Sequence, residues 1–163
     1  MLTACSGSME TRPIMGDRSI TPKQAVIEFQ QLEKTNIEWG GVIVEVHNLQ
    51  TTTEFQIIAY PLKKDGRPDL KTSPTGRFIA ILEGYVEAAD YAKGQRITLS
   101  GRITGIRQGK VGEADYNFPL IQADTMQLWP VETTSRNNSR INFGFGVGSG
   151  GWSGGGIGVD FGL

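Results

Sequence analysis

The chain reads as a mainly β protein: a small OB-like barrel of five or six strands, with one short N-terminal helix and a glycine-rich C-terminal β-hairpin or disordered tail. Three observations carry this reading. Between residues 36 and 130, short runs alternate apolar and polar with a period of two, as strands with one buried face do. Gly, Asp and Pro clusters separate these runs at hairpin spacing. Helix signals occur in one stretch ahead of the strands. At 163 residues the chain suffices for one domain with tails, divided as a tether over 1–20, a barrel over 21–131 and a linker with a glycine-rich tail over 132–163.

Residues 6–20 mix Gly, Ser, Pro and charge without period, which predicts a mobile stalk. Thr21 then starts a helix as N-cap, with Pro22 at the first helical position and Gln24 completing a capping box. Ala25, Phe29 and Leu32 share one face, so about three turns ending near Asn36 would lay Phe29 on the domain. The first strand follows, with Val42, Val44 and Val46 on its buried face and Glu45 and His47 on its wet one. Gly40 and Gly41 mark a bulge or a close backbone approach.

The second strand, residues 52–62, buries Phe55, Ile57 and Ala59 and stops at Pro61 and the turn Lys64-Asp65-Gly66-Arg67-Pro68. Arg77–Leu82 forms the third. The connection Glu83–Gly94 has room for one helical turn around Ala88–Tyr91. The fourth, Gln95–Ile106, points Ile97, Leu99, Gly101 and Ile103 inward and Arg96, Thr98, Ser100, Arg102 and Thr104 outward, with Gly101 where a small barrel must bend. A turn at Gln108-Gly109-Lys110 leads to Tyr116–Ile121, and Ala123–Trp129 closes the set.

Chemistry is excluded more firmly than it is indicated. Sixteen Lys and Arg against 17 Asp and Glu give a net charge of -1, which argues against nucleic acid as a partner. No apolar run reaches the length of a membrane-spanning helix. The single histidine, His47, reads as a surface neighbour of Glu45, and no nucleophile motif, metal-ligand spacing or phosphate loop occurs. Catalytic residues, metals and cofactors are therefore not expected. Tyr85, Tyr91, Tyr116 and Trp129 are the candidates for an aromatic binding surface on such a barrel, although aromatic residues there more often complete a core.

Leu2-Thr3-Ala4-Cys5 ends in the only cysteine of the chain. It resembles the lipobox of bacterial lipoproteins, in which small residues precede a cysteine whose thiol is lipidated. The resemblance implies that Cys5 is the mature first residue, carrying acyl chains such as palmitate, and that Ser6-Gly7-Ser8 is a tether. One chain binds a bilayer only marginally, whereas two or more anchor stably. Ser6 in place of Asp after the cysteine implies an outer-membrane destination. A secretory signal needs a basic stretch and an apolar run before its cleavage site; with only Met1 ahead of the motif, most of that signal is expected to lie upstream of the sequence given.

The pieces Trp39-Gly40-Gly41, Ala59-Tyr60-Pro61-Leu62, Asp65-Gly66-Arg67-Pro68, Gly76-Arg77-Phe78, Ala89-Asp90-Tyr91, Tyr116-Asn117-Phe118-Pro119-Leu120 and Leu128-Trp129-Pro130, in that order, resemble the Slp family of outer-membrane lipoproteins. The resemblance implies a lipid-anchored envelope protein, associated with stationary phase or stress, without established enzymatic activity. It supplies no catalytic residue.

Beyond a polar linker at 132–140, Ile141, Phe143, Phe145 and Val147 alternate with glycine, as do Ile157, Val159 and Phe161 with Gly156, Gly158, Asp160 and Gly162. That is the pattern of a hairpin with one apolar and one bare face, and equally of a glycine linker with no fixed fold. Its arms are slightly short for crossing a membrane, so Phe143, Phe145, Trp152 and Phe161 are expected to contact a membrane surface or a partner. The expected function is a non-catalytic outer-membrane lipoprotein facing the periplasm, structural, in contact with other envelope proteins or copies of itself. A periplasmic module binding a small molecule or glycan is the alternative.

Overall fold

The computed structural model describes residues 13–87 and 90–130. Two short helices, α1 (Pro22–Ile27) and α2 (Phe29–Leu32), precede five strands: β1 (Asn36–Asn48), β2 (Thr52–Tyr60), β3 (Gly76–Glu83), β4 (Arg96–Val111) and β5 (Ala114–Trp129). They close into a barrel in the order β1-β2-β3-β5-β4. Only β3 and β5 run parallel, over Ile79–Ile81 and Leu120–Gln122, while the other pairs are antiparallel. A five-stranded barrel of this order, in which β1 pairs with both β2 and β4, has the OB arrangement that the alternation predicted.

The capping box forms as read: Gln24 N–H donates to Thr21 Oγ1 at 3.2 Å, and Thr21 N–H donates to Gln24 Oε1 at 3.0 Å. The helix is broken at Glu28 (φ -107°, ψ 25°) instead of running three turns. Val26 and Ile27, both β-branched, weaken its last turn. Ala25 is nevertheless buried and Phe29 and Leu32 pack against the core, as their spacing predicted.

Inside the barrel Phe55, Ile57, Phe78, Ala80, Ile97, Leu99, Ile103 and Ile121 are fully buried, and Trp39 packs edge-on to Phe78 at 5.2 Å. The inward positions expected of β2 and β4 are therefore correct. Those of β1 differ: its buried apolar side chains are Ile37, Trp39 and Ile43, while Val42 and Val44 are only half-buried. A bulge between Ile43 and Glu45 shifts the register by one residue, and one extra residue flips every side chain after it. Val46 consequently faces the core, and Val42 and Val44 do not belong to it. The glycines before the bulge serve close approach: a Cβ on Gly41 would collide with the carbonyl of Ile58.

Two breaks expected between strands are absent. Gln108-Gly109-Lys110 lies within β4, and the hairpin turns at Gly112-Glu113, with positive φ only at Gly112. Tyr116–Ile121 and Ala123–Trp129 are one strand despite Pro119, which falls just outside the short ladder to β3 and removes no bond there. The β4–β5 hairpin therefore extends past the barrel as an arm, over which Gly105–Val111 pairs with Ala114–Leu120. The connection from β3 to β4 forms no helix among its described residues, and Ala88 and Ala89 lie outside them.

Candidate functional site

The expected sites fall into two groups. Cys5, Phe143, Phe145, Trp152 and Phe161 lie outside the described residues, as does the glycine-rich tail. The three tyrosines are described, and the barrel does not bring them together. Tyr91 packs on Phe55 at 5.2 Å, as part of the lining of the core. Tyr116 stacks on Phe118 at 4.7 Å, and its hydroxyl accepts the Arg77 N–H at 2.8 Å, beside the first residues of β3. Tyr85 is 67 % exposed just beyond the last residue of β3, at the other end of that strand from Tyr116.

What the sequence did not announce is a buried polar cluster on the outside of β1 and β4. Thr98 and Ser100 point outward, as alternation requires, yet both are buried, as is Glu38. The turn after β2 and the end of β5 cover them. Thr98 Oγ1 donates to Gly66 O at 2.6 Å and accepts the Trp129 indole N–H at 2.8 Å, while Arg67 lies over the Trp129 ring at 5.0 Å. Ser100 and Thr125 share a hydrogen bond of 2.6 Å. The Asp-Gly-Arg-Pro turn and the Trp-Pro end, separate in sequence, form one contact, and so do Gly-Arg-Phe and the Tyr-Asn-Phe segment through Arg77 and Tyr116.

The second cover is the segment expected to be mobile stalk. Residues 15–20 are instead strapped to β1. Asp17 exchanges backbone hydrogen bonds of 3.0 Å with Asn36 and Glu38, and Trp39 Nε1 donates to Ile20 O at 2.7 Å. Asn36 donates to Met15 O at 2.7 Å, and a Cβ on Gly16 would strike the backbone of Ile37. Arg18 Nε donates to Glu38 Oε2 at 2.6 Å, with the carboxylate side chain wholly buried. Hydrogen bonds from Ser19 hold the exposed Asp17 carboxyl below its usual range. This segment lacks hydrophobic periodicity because backbone pairing and one ion pair fix it.

A third feature ties the arm down. Arg107 donates to both carboxylate oxygens of Glu54 on β2, at 2.7 and 2.9 Å. The hydrogen bond from Arg107 lowers the Glu54 carboxyl below its ordinary value of 4.5 and raises the guanidinium. His47 and Glu45 are 3.2 Å apart and about half exposed, a surface pair as the sequence indicated. Among the described residues no group of three or more His, Cys, Asp or Glu could hold a metal ion, and no helix is long and apolar enough to cross a membrane. A cavity of about 290 Å³ on the arm is lined by Gln108, Gly109, Asp115, Tyr116 and Asn117, while the inward side chains of the barrel are fully buried.

Comparison with known proteins gives this arrangement relatives. The uncharacterized lipoprotein YeaY of Escherichia coli K12 is 30 % identical over 128 residues, covering 76 % of this chain and 66 % of that protein. The outer membrane protein Slp of the same organism is 27 % identical over 110 residues, 67 % of this chain and 58 % of its own length. An uncharacterized protein of Haemophilus influenzae Rd is 32 % identical over 99 residues, 60 % of this chain and 54 % of that one. The matches thus span between about half and two-thirds of these relatives.

Among solved structures, a small single-stranded DNA-binding protein from Streptomyces coelicolor superposes with a TM-score of 0.37 at 14 % identity, covering 59 % of this chain and 94 % of its own. The N-terminal domain of a PriB protein from Thermoanaerobacter tencongensis gives 0.33 at 13 %, covering 58 % and 96 %. These likenesses are weak, and no function is drawn from them. The family comparison is of another order, since the model of the Slp outer membrane lipoproteins matches residues 2–151 and takes in all seven of the quoted motifs: the chain belongs to the outer membrane lipoprotein Slp family.

Proposed function

We propose that this protein is a non-catalytic, structural component of the Gram-negative envelope, anchored in the outer membrane by lipid on Cys5 and facing the periplasm. The observation that supports it best is the filled barrel. Eight fully buried side chains from four strands point into the interior of this five-stranded barrel, which is too narrow to hold a ligand beside them. The conspicuous polar groups, Glu38, Thr98, Ser100 and Trp129, are joined to neighbours within the fold, where they hold elements together. Binding then belongs to the outer surfaces, as in a scaffold.

The strap supports the same reading mechanically. A tether leading from Cys5 would meet the fold at residues 15–20, where backbone pairing and the Arg18–Glu38 ion pair transmit a pull directly into β1. Fractionation of cells expressing the protein with its signal tests the proposal: the protein is expected in the outer membrane, and Cys5→Ser is expected to be lost from it. A Cys5→Ser chain still in the outer membrane would sink the anchoring. A small molecule or glycan co-purifying at one per chain would replace the scaffold with the binding-module alternative.

A further inference from the structure

The outward side of β1, β2, β3 and β5 is not the polar surface that alternation leads one to expect. Val42, Ile58, Ile79, Ile81 and Leu120 are half-buried, and none belongs to the core or packs against it. Strand pairing joins them in one stripe. Val42 lies opposite Ile58, Ile79 lies opposite Leu120, and Ile58, opposite Arg77, is a diagonal neighbour of Ile79. The stripe crosses four strands, interrupted by Gln56 opposite Ile79 and by Gln122 opposite Ile81, and an apolar stripe edged by polar residues is suited to a partner.

The rim of the stripe says which partner. Along β3 the outward residues are Arg77, Ile79, Ile81 and Glu83, alternating with the fully buried Phe78 and Ala80. Counted from Ala80 in either direction, an apolar residue comes first and a charge second, basic on one side and acidic on the other. A two-fold axis lying between two such faces and crossing the strands at Ala80 would set Ile79 on the partner's Ile81 and Arg77 against the partner's Glu83. Self-complementarity of this kind is what an isologous interface requires. Glu54, the acid opposite Ile81 inside the stripe, is already neutralised by Arg107. None of the five stripe residues is aromatic, so bases and sugars have no ring there to stack on.

We infer that this stripe is a two-fold dimer interface between copies of the chain, centred on β3. The dimer supplies a partner for the scaffold proposed above and rests on that reading only for its purpose. Sedimentation equilibrium of the full chain tests it, with Cys5→Ser present so that lipid imposes no clustering of its own. A concentration-dependent dimer is expected. Arg77→Glu and Glu83→Arg should each raise the dissociation constant about tenfold or more, because every dimer then holds two like-charge contacts. The double change Arg77→Glu with Glu83→Arg should restore it, which a folding defect would not do. A chain monomeric at every concentration, a dimer indifferent to both single changes, or a double variant as weak as the singles would overturn the inference. Membrane release of Cys5→Ser is read separately, so either result can fail without the other.

Discussion

The inside of the barrel and the outer flank of β1 and β4 are both closed to water, yet different forces close them. Inside, Phe55, Ile57, Phe78 and Leu99 meet through non-directional burial, to which each large side chain contributes roughly 1.5–3 kcal/mol. On the flank, directed hydrogen bonds at fixed distances tie Glu38 to Arg18, Ser100 to Thr125, and Thr98 to both Gly66 and Trp129. The interior gives stability and tolerates repacking, whereas the flank gives specificity. It decides where the N-terminal strap, the turn after β2 and the end of β5 attach, and a polar group that loses its partner there is penalised in full.

Substitutions sharpen this contrast in descending order. Phe55→Ala, which opens a cavity in the interior, should cost about 3–5 kcal/mol in urea unfolding. A loss below about 1 kcal/mol would mean that the interior collapses freely and is not close-packed. Arg18→Ala removes the Nε–H that the buried Glu38 carboxylate accepts and should cost about 3 kcal/mol, while Arg18→Met combined with Glu38→Leu should recover most of it. If the double variant were as unstable as the single, the strap would be held by more than its charges.

Thr98→Val removes one hydroxyl and leaves both Gly66 O and the Trp129 indole without their bond. About 1–3 kcal/mol is expected, with a change in Trp129 fluorescence that Phe55→Ala should not reproduce. The smallest effect concerns the arm. Glu54 titrates below its ordinary value of 4.5 in the folded chain because Arg107 donates to it. A carboxylate depressed in this way stabilises the fold above its unfolded pKa and loses that contribution as pH falls through the folded one. The clasp should therefore weaken only below about pH 4.5, by about 1 kcal/mol or less since Arg107 is partly exposed. Glu54→Gln should flatten that acid limb of the stability profile.

The same division explains what could be read from the sequence. Period-two alternation is a property of burial, so β2, β3 and the inward residues of β4 were legible, as was the capping box at Thr21. The bulge at Ile43/Glu45 was not. Val42, Val44 and Val46 alternate as well as Ile37, Trp39 and Ile43 do, and only pairing with β2 decides between them. The flank was hidden for a further reason: Thr98 looks solvent-facing until Gly66, 32 residues before it, and Trp129, 31 residues after it, are folded over it, and Glu38 does so until Arg18, 20 residues before it, is in place. Tyr85, Tyr91 and Tyr116 share a residue type, which carries no information about which end of a strand each one marks.

A lipid-tethered structural barrel is the central claim, and the intact mass of the protein extracted with detergent from outer membranes tests it most directly. The predicted result is a chain beginning at Cys5 and heavier than its peptide by a diacylglyceryl group and a further acyl chain. A chain from the same membranes with Cys5 unmodified would contradict it.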